Sequence, residues 1–312
     1  MSSRLGLLLL TLTVINPAYS ADQQAEQQNA PQQVEDDSSE PALPPSLIDQ
    51  RFKSEQSLLA DPFGITQYRR NYVLAFSYID NPNQIGSSES NQDSIDNVEA
   101  KYQISVKMPL YRTDSGDSAL FFGFTAVSFW QVYSSEVSKP FRETNYEPEI
   151  FYNWNTSYKL LGYRFNAFQL GFNHQSNGQS ELRSRSWNRL YASLLMSDAD
   201  NFYALKLWYR IPEDNKLDPL QPTGDDNPDI TDYLGHFELT YGTELGNFQM
   251  LAKLRNNLKT SHNKGSIELN LTYAISDRYD LILQYFNGYG DSLIDYNNYQ
   301  QRIGLGVQLA FF

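Results

Sequence analysis

Phe168-Gln169-Leu170-Gly171-Phe172-Asn173-His174-Gln175-Ser176 alternates apolar residues with polar or small ones. Successive side chains of a strand point to opposite faces, so Phe168, Leu170 and Phe172 share a face with His174 and Ser176. A nucleophile and a base therefore continue an apolar stripe. If that stripe faces lipid, the pair is presented to the bilayer, and the substrate at hand is the lipid itself.

The same alternation recurs along the chain, with turn chemistry between the segments. It predicts strands over Asn71–Tyr78, Val98–Leu110, Ala119–Tyr133, Glu149–Tyr158, Phe165–Ser176 and Trp187–Met196. Six more follow over Phe202–Ile211, Tyr233–Tyr241, Phe248–Leu254, Ser266–Tyr273, Asp280–Tyr285 and Gln301–Phe312. Twelve is an even number, as bacterial barrels require, and the expected fold is an all-β, twelve-stranded antiparallel transmembrane β-barrel. The connections support it independently. Those at 112–117, 159–163, 197–201, 242–246 and 275–278 are short, whereas 81–97, 134–146, 177–185, 212–229, 256–265 and 288–299 are longer. Short turns belong to the periplasmic rim and long loops to the outside, which directs the 177–185 hairpin toward the outer leaflet. In the last segment Ile303, Leu305, Val307, Leu309 and Phe311 alternate with small or polar residues before Phe312, as a closing strand would. A soluble β-sandwich is the competing architecture.

Composition agrees with a barrel. Hydrophobic residues make up 40% of the chain and aromatics 14%, with 22 Tyr and 18 Phe, yet the mean hydropathy is polar. Lipid-facing apolar residues alternating with lumen-facing polar ones, and tyrosines at the interfaces, produce that mixture. A formal net charge of −13 argues against a nucleic-acid partner, because no basic surface is available to displace counterions from phosphate. The chain has no cysteine, which agrees with export and leaves no disulfide, thiolate metal site or cysteine nucleophile to consider.

Arg4 precedes a largely apolar run from Leu5 to Ile15, followed by Asn16-Pro17 and by Ala18-Tyr19-Ser20 before Ala21. This predicts a secretory signal over residues 1–20, cut after Ser20 or close to it. The run is shorter than the ~20 apolar residues that a helical membrane anchor needs. Residues 21–57, rich in Gln, Glu, Asp, Ser and Pro, are expected to form a disordered acidic periplasmic extension. The barrel is expected over 58–312.

If the loop from Asn177 to Arg185 closes a hairpin symmetrically about Glu181, His174 lies opposite Asn188 and Ser176 opposite Ser186. Opposite residues have Cβ atoms ~5 Å apart and same-face neighbours along a strand are separated by ~7 Å, so an imidazole reaches both partners. Asn188 shares its parity with Leu190, Ala192, Leu194 and Met196, and so belongs to the apolar stripe as well. Chemistry then assigns Ser176 to attack an ester carbonyl, His174 to take and return its proton, and Asn188 to orient the ring. A neutral amide orients without placing a full charge on a lipid face, a charge costing up to a few kcal/mol depending on depth. The missing negative charge calls for a cation near the oxyanion.

Asn173-His174-x-Ser176-Asn177-Gly178 together with Ser184-Arg185-Ser186-Trp187-Asn188-Arg189-Leu190-Tyr191 resembles the active-site hairpin of the outer-membrane phospholipase A family. The likeness extends to Pro140-Phe141-Arg142-Glu143-Thr144-Asn145-Tyr146-Glu147-Pro148, to Asp225-Asp226-Asn227-Pro228-Asp229-Ile230 and to Asp291-Ser292-Leu293-Ile294-Asp295-Tyr296. It runs from about Tyr72 to the end. The resemblance implies an outer-membrane enzyme that hydrolyses the sn-1 and sn-2 esters of phospholipids and lysophospholipids, uses calcium and is active as a homodimer. It implies Ser176 as nucleophile, His174 as base, Asn188 as orienting residue and the Gly178 N–H as oxyanion donor. It also implies calcium held by the Ser184 hydroxyl, the Gln179 carbonyl and Ser138 of the partner subunit, a water-rich and fairly weak site. Asp226 and Glu181 match positions used for a further calcium, with Glu181 replacing an aspartate. Gln175, where some members carry Asp, has lumen parity. Ala126 stands where members can carry a dimer-stabilising glutamine.

Other readings of these residues remain in play. A passive barrel would give the polar hairpin no catalytic part, but a pore places its working residues in the lumen. A barrel protease needs acidic and basic groups assembled above the membrane, and no such set stands out. Asp225-x-Asn227-x-Asp229 opens like a calcium loop but lacks the following glycine of an EF-hand. His236 and His262 have no partnered spacing. Arg183, Arg185 and Arg189 could line the lumen or meet lipid phosphate.

Overall fold

The computed structural model describes residues 45–59, 61, 64–83, 95–134, 141–160, 163–218, 220–221 and 223–311. The expected signal over 1–20, the first part of the expected extension, and Ser138 lie outside the described residues.

In chain order the elements are α1 (Leu47–Leu59), β1 (Thr66–Gln67), β2 (Tyr72–Ile79), β3 (Val98–Arg112), β4 (Ser118–Trp130), β5 (Phe141–Leu160), β6 (Tyr163–Ser176) and β7 (Ser186–Ser197). They continue with β8 (Asn201–Ile211), α2 (Ile230–Leu234), β9 (Phe237–Leu245), β10 (Phe248–Asn256), β11 (Gly265–Ala274), β12 (Tyr279–Gly288) and β13 (Gln300–Leu309). Strands β2 to β13 pair antiparallel with their sequence neighbours, and β13 returns to β2 through Arg302↔Ile79 to Gln308↔Tyr72. Twelve strands thus close a barrel. The two-residue β1 adds only a short pairing to β3, at Thr66↔Lys107 and Gln67↔Val106.

Alternation places apolar side chains outside and polar ones within. Phe168, Leu170, Phe172 and Leu190 are exposed on the outer surface, as are Leu281, Leu283, Ile303, Leu305 and Val307. Glu99, Lys101, Glu149, Asn173, Arg189 and Arg302 are buried in the interior. No described helix is long and apolar enough to cross a membrane, a finding that does not bear on strands.

The rims differ as expected from the loop lengths, strand ends shift by a few residues, and three segments differ in kind from expectation. The first correction concerns residues 47–57, expected to be disordered, which form most of α1. Ser46 accepts a hydrogen bond from the Asp49 N–H at 3.3 Å and so caps the helix. Leu47 and Ile48 pack with Phe202 and Leu251, and Asn166 donates to Asp49 at 2.8 Å. Such a short helix is marginal alone; burial against the lumen stabilises it, a tertiary contact that local composition does not report. The second correction is β5, which begins at Phe141 inside a stretch expected to be loop. Arg142, Glu143 and Asn145 look too polar for a strand, but all are buried against lumen partners. The third is α2, where a strand start was expected. Ile230 and Leu234, four apart, bury one helical face against Trp187 and Trp208, and Gly235 ends the turn at φ +68.

Loop 289–299 is fastened to the barrel by charge. Lys101 pairs with Asp291 at 2.6 Å, Arg302 with Asp291 at 2.6 Å and Arg142 with Asp295 at 2.6 Å. Burial would raise the Asp291 carboxyl, but Lys101 and Arg302 outweigh it and hold the group well below the usual carboxylate range.

Candidate functional site

The hairpin of β6 and β7 has the register His174↔Asn188 and Ser176↔Ser186. That is the register of a loop symmetric about Glu181. Buried Asn177 holds the loop closed: its side chain donates to the Arg183 carbonyl at 2.8 Å and accepts from the Arg185 N–H at 2.9 Å. Gly178 (φ +64) and Glu181 (φ +55) take left-handed conformations, unstrained for glycine and uncommon for glutamate.

His174 Nδ1 lies 2.8 Å from Asn188 Oδ1. An amide oxygen only accepts, so Nδ1 carries the proton and Nε2 keeps its lone pair free to act as a base. The orientation of the amide is itself determined, because Asn188 Nδ2 donates to Glu213 Oε1 at 3.2 Å. Ser176 stands two residues past His174 on the same face, between Ser186 on β7 and Tyr146 on β5. No hydrogen bond joins its hydroxyl to the imidazole among the described residues. The Tyr146 ring flanks Gly178, 3.4 Å from where a Cβ would stand, so the exposed turn after Ser176 has an aromatic wall. Gln175 faces inward and accepts from Trp187 Nε1 at 2.8 Å, in keeping with its parity.

Glu213 carries no signal in the sequence. It lies beyond β8 in a stretch read as loop, and only the pairing Asn188↔Ile211 brings it beside the amide. Its effect is to position Asn188. Glu213→Ala is expected to lower kcat about tenfold with little change in KM, since it frees the amide to rotate without removing a reacting group. Initial rates over a substrate series check this; an unchanged kcat would remove Glu213 from the site.

The candidate metal ligands are distributed as follows. The Ser184 hydroxyl donates to Asp226 Oδ2 at 2.7 Å, and Asp226 is also ion-paired with Lys216. Gln179 lies in the same loop, its N–H directed to Asn177 Oδ1 at 3.3 Å, and the Glu181 side chain is exposed. No group of three or more His, Cys, Asp or Glu side chains is arranged to hold a metal among the described residues. The donors present are nonetheless a hydroxyl, a carbonyl and a carboxylate, oxygen ligands of the type calcium takes. The carboxylate already attracts a cation, the Lys216 ammonium.

The remaining motifs brace the hairpin. Asn227, fully buried, accepts the Ser186 N–H at 3.0 Å, and Asp225 accepts from Arg210 Nη2 at both carboxylate oxygens at 2.6 Å and from the Asn227 N–H at 3.0 Å. Asp229 accepts from the Tyr296 hydroxyl at 2.6 Å. Arg189 points into the lumen, 3.0 Å from Glu147. Arg183 donates to the Arg142 carbonyl at 3.2 Å, and Arg185 to the carbonyls of Leu182 and Ser184 at 2.9 and 2.6 Å. His262 is exposed against Ser261, and His236 is likewise exposed.

A closed barrel with an apolar exterior, on which Ser176, His174 and Asn188 share the parity of the exposed apolar stripe, defines an outer-membrane type of protein. Residues 48–309 match the family model for Phospholipase A1, and the chain belongs to that family. It is 38% identical to Phospholipase A1 of Escherichia coli strain K12 over 250 residues, which are 80% of this chain and 82% of that protein. The Salmonella typhi outer membrane phospholipase dimer with bound calcium superposes with a TM-score of 0.73 at 37% identity, over 82% of this chain and 96% of that one. Outer membrane phospholipase A from Escherichia coli, solved as an active-site asparagine-to-alanine mutant, also gives 0.73 at 37% identity, over 81% and 97% of the two chains.

Proposed function

We propose that this protein is a calcium-dependent outer-membrane phospholipase that hydrolyses sn-1 and sn-2 acyl esters of phospholipids and lysophospholipids, with its site toward the outer leaflet, active as a homodimer. The observation that carries this reading is the 2.8 Å contact of His174 Nδ1 with Asn188 Oδ1 on a barrel exterior. The active-site asparagine of the Escherichia coli relative supports the part given to Asn188.

The Ser176 Oγ attacks the ester carbonyl as His174 Nε2 takes its proton. The tetrahedral intermediate places its oxyanion at the Gly178 N–H, collapses to an acyl ester on Ser176, and passes the proton from His174 to the departing alcohol oxygen. A water deprotonated by His174 then releases the fatty acid and restores Ser176. Asn188, steadied by Glu213, keeps the ring in the tautomer these steps need. Ser184, the Gln179 carbonyl and Ser138 of the partner subunit would hold calcium, with Asp226 and Glu181 serving a further ion. Bound there, calcium supplies positive charge near the developing oxyanion.

Hydrolysis of phospholipid in mixed micelles is expected to fall about a hundredfold when a chelator removes calcium, the scale of losing one oxyanion-stabilising group. Activity indifferent to chelation would remove the metal from the reading. Lys216 competes with any cation for Asp226. Lys216→Ala is therefore expected to tighten calcium binding about tenfold, equivalent to about 1.4 kcal/mol, measured by calorimetry on the detergent-solubilised protein. Equal affinity in variant and wild type would dissociate Asp226 from the metal. Ala126, flanked in the sheet by Ile104 and Tyr146, gives the dimer a small apolar contact, so association depends more on shape and metal than on polar side chains.

A further inference from the structure

Inside the barrel, between α1 and the strands, lies a chamber of about 270 Å³. Its wall is two-sided. Phe52, Leu195, Phe202 and Leu251 line it as apolar surface, and Arg70, Lys107 and several other cations line it together with three carboxylates, Glu147, Glu238 and Glu268.

These cations outnumber the carboxylates that compensate them. Arg51 and Lys107 share one carboxylate, Glu55, at 3.0 and 2.9 Å. Arg69, Arg189 and Lys206 share two, Glu147 and Glu149. Lys253 with Glu268 and Arg255 with Glu238 are matched one to one. Arg70 has no carboxylate at ion-pairing distance among the described residues. Its side chain contacts Gln308 Oε1 at 3.3 Å, and its Nε is buried without a partner, although the residue is only 7% exposed. Two carboxylates whose fields reach Arg70 are Glu268 and Asp280. The first is paired with Lys253, and the second accepts from Gln308 Nε2 at 2.8 Å.

A guanidinium does not shed its proton in proteins, and a buried guanidinium with no carboxylate of its own at ion-pairing distance is costly. We infer that the chamber is an anion-binding site in which Arg70 takes one small oxyanion of the phosphate or carboxylate type. The fork of a guanidinium matches two oxygens of either group. At about 270 Å³ the chamber is large enough for such an ion, and its apolar lining leaves room for a short acyl tail on a carboxylate. This site is separate from Ser176, which lies on the outer face, and it does not depend on the hydrolase reading.

The test is calorimetric titration of the full, folded protein in detergent, in calcium-free and otherwise anion-poor buffer. Inorganic phosphate is one probe and octanoate the other. Saturable binding at one site per chain is expected, with an affinity roughly millimolar or tighter. Arg70→Gln should weaken it at least tenfold, Arg70→Lys should retain part of it, and Glu55→Gln should tighten it by removing a compensating charge. Tighter binding of phosphate identifies an inorganic oxyanion as the occupant, and tighter binding of octanoate identifies a carboxylate with its tail on the apolar wall. Absence of saturable heat with both probes in the wild type overturns the inference. So does equal affinity in wild type and Arg70→Gln. Should Arg70→Gln fail to fold, the wild-type titration and the opposite shifts in Arg70→Lys and Glu55→Gln still decide.

Discussion

Ser176→Ala is expected to lower phospholipid hydrolysis at least about a thousandfold while leaving the barrel intact. The substitution deletes one oxygen from a half-buried residue that pairs through its backbone with β5 and β7, so the strands keep their register. On the proposed mechanism, what is lost is the attacking group. What remains is the oxyanion donor and substrate binding, which alone leave a small residual rate. His174→Ala should fall to a similar level, and the double variant should fall little further, because in the proposed mechanism base and nucleophile act as one unit. Initial rates on mixed micelles, with circular dichroism to check the barrel, decide the matter. Undiminished hydrolysis by Ser176→Ala would exclude it as the nucleophile, and multiplying losses in the double variant would show that the two residues act separately.

Legibility followed the range of the interactions. The alternation of Phe168, Leu170 and Phe172 is written locally, since a strand with one face in lipid repeats every two residues. Together with the loop lengths it led to twelve strands and to the pairing of His174 with Asn188. α1 was not legible, because Leu47 and Ile48 acquire an apolar surface only when Phe202 and Leu251 are folded around them. Arg142, Glu143 and Asn145 looked like loop for a related reason. A lumen inverts the usual rule, making charged side chains the buried ones, so polarity there does not mean exposure. Glu213 was missed because its value arises from a cross-strand neighbour twenty-five positions earlier in the chain. The direction of Arg189 became clear only once Glu147, on β5, was placed beneath it.

Glu99→Ala is expected to cost about 3–5 kcal/mol of stability. Glu99 is fully buried and accepts from Arg142 Nε and Nη2, both at 3.0 Å, from Arg302 Nη2 at 2.8 Å and from Gln131 Nε2 at 2.8 Å. Unlike the anion chamber, this network is balanced: Arg142, Arg302 and Lys101 face Glu99, Asp291 and Asp295. Taking out one carboxylate leaves a buried positive charge with no place to go. It also unties β3 from β5 and β13 at the end of the barrel that carries loop 289–299. A lower denaturant midpoint at unchanged slope measures the effect. Arg302→Met in the Glu99→Ala background should recover part of the loss, because it removes the orphaned charge along with its desolvation cost. If Glu99→Ala moved stability by less than 1 kcal/mol, water would have to be replacing the carboxylate, and the closed, charge-matched interior described for this end of the barrel would be wrong. Catalysis under native conditions should change far less than stability, since Arg142 meets the 177–185 loop only through its backbone carbonyl, 3.2 Å from Arg183 Nη2. That carbonyl stays in place as long as β5 remains paired.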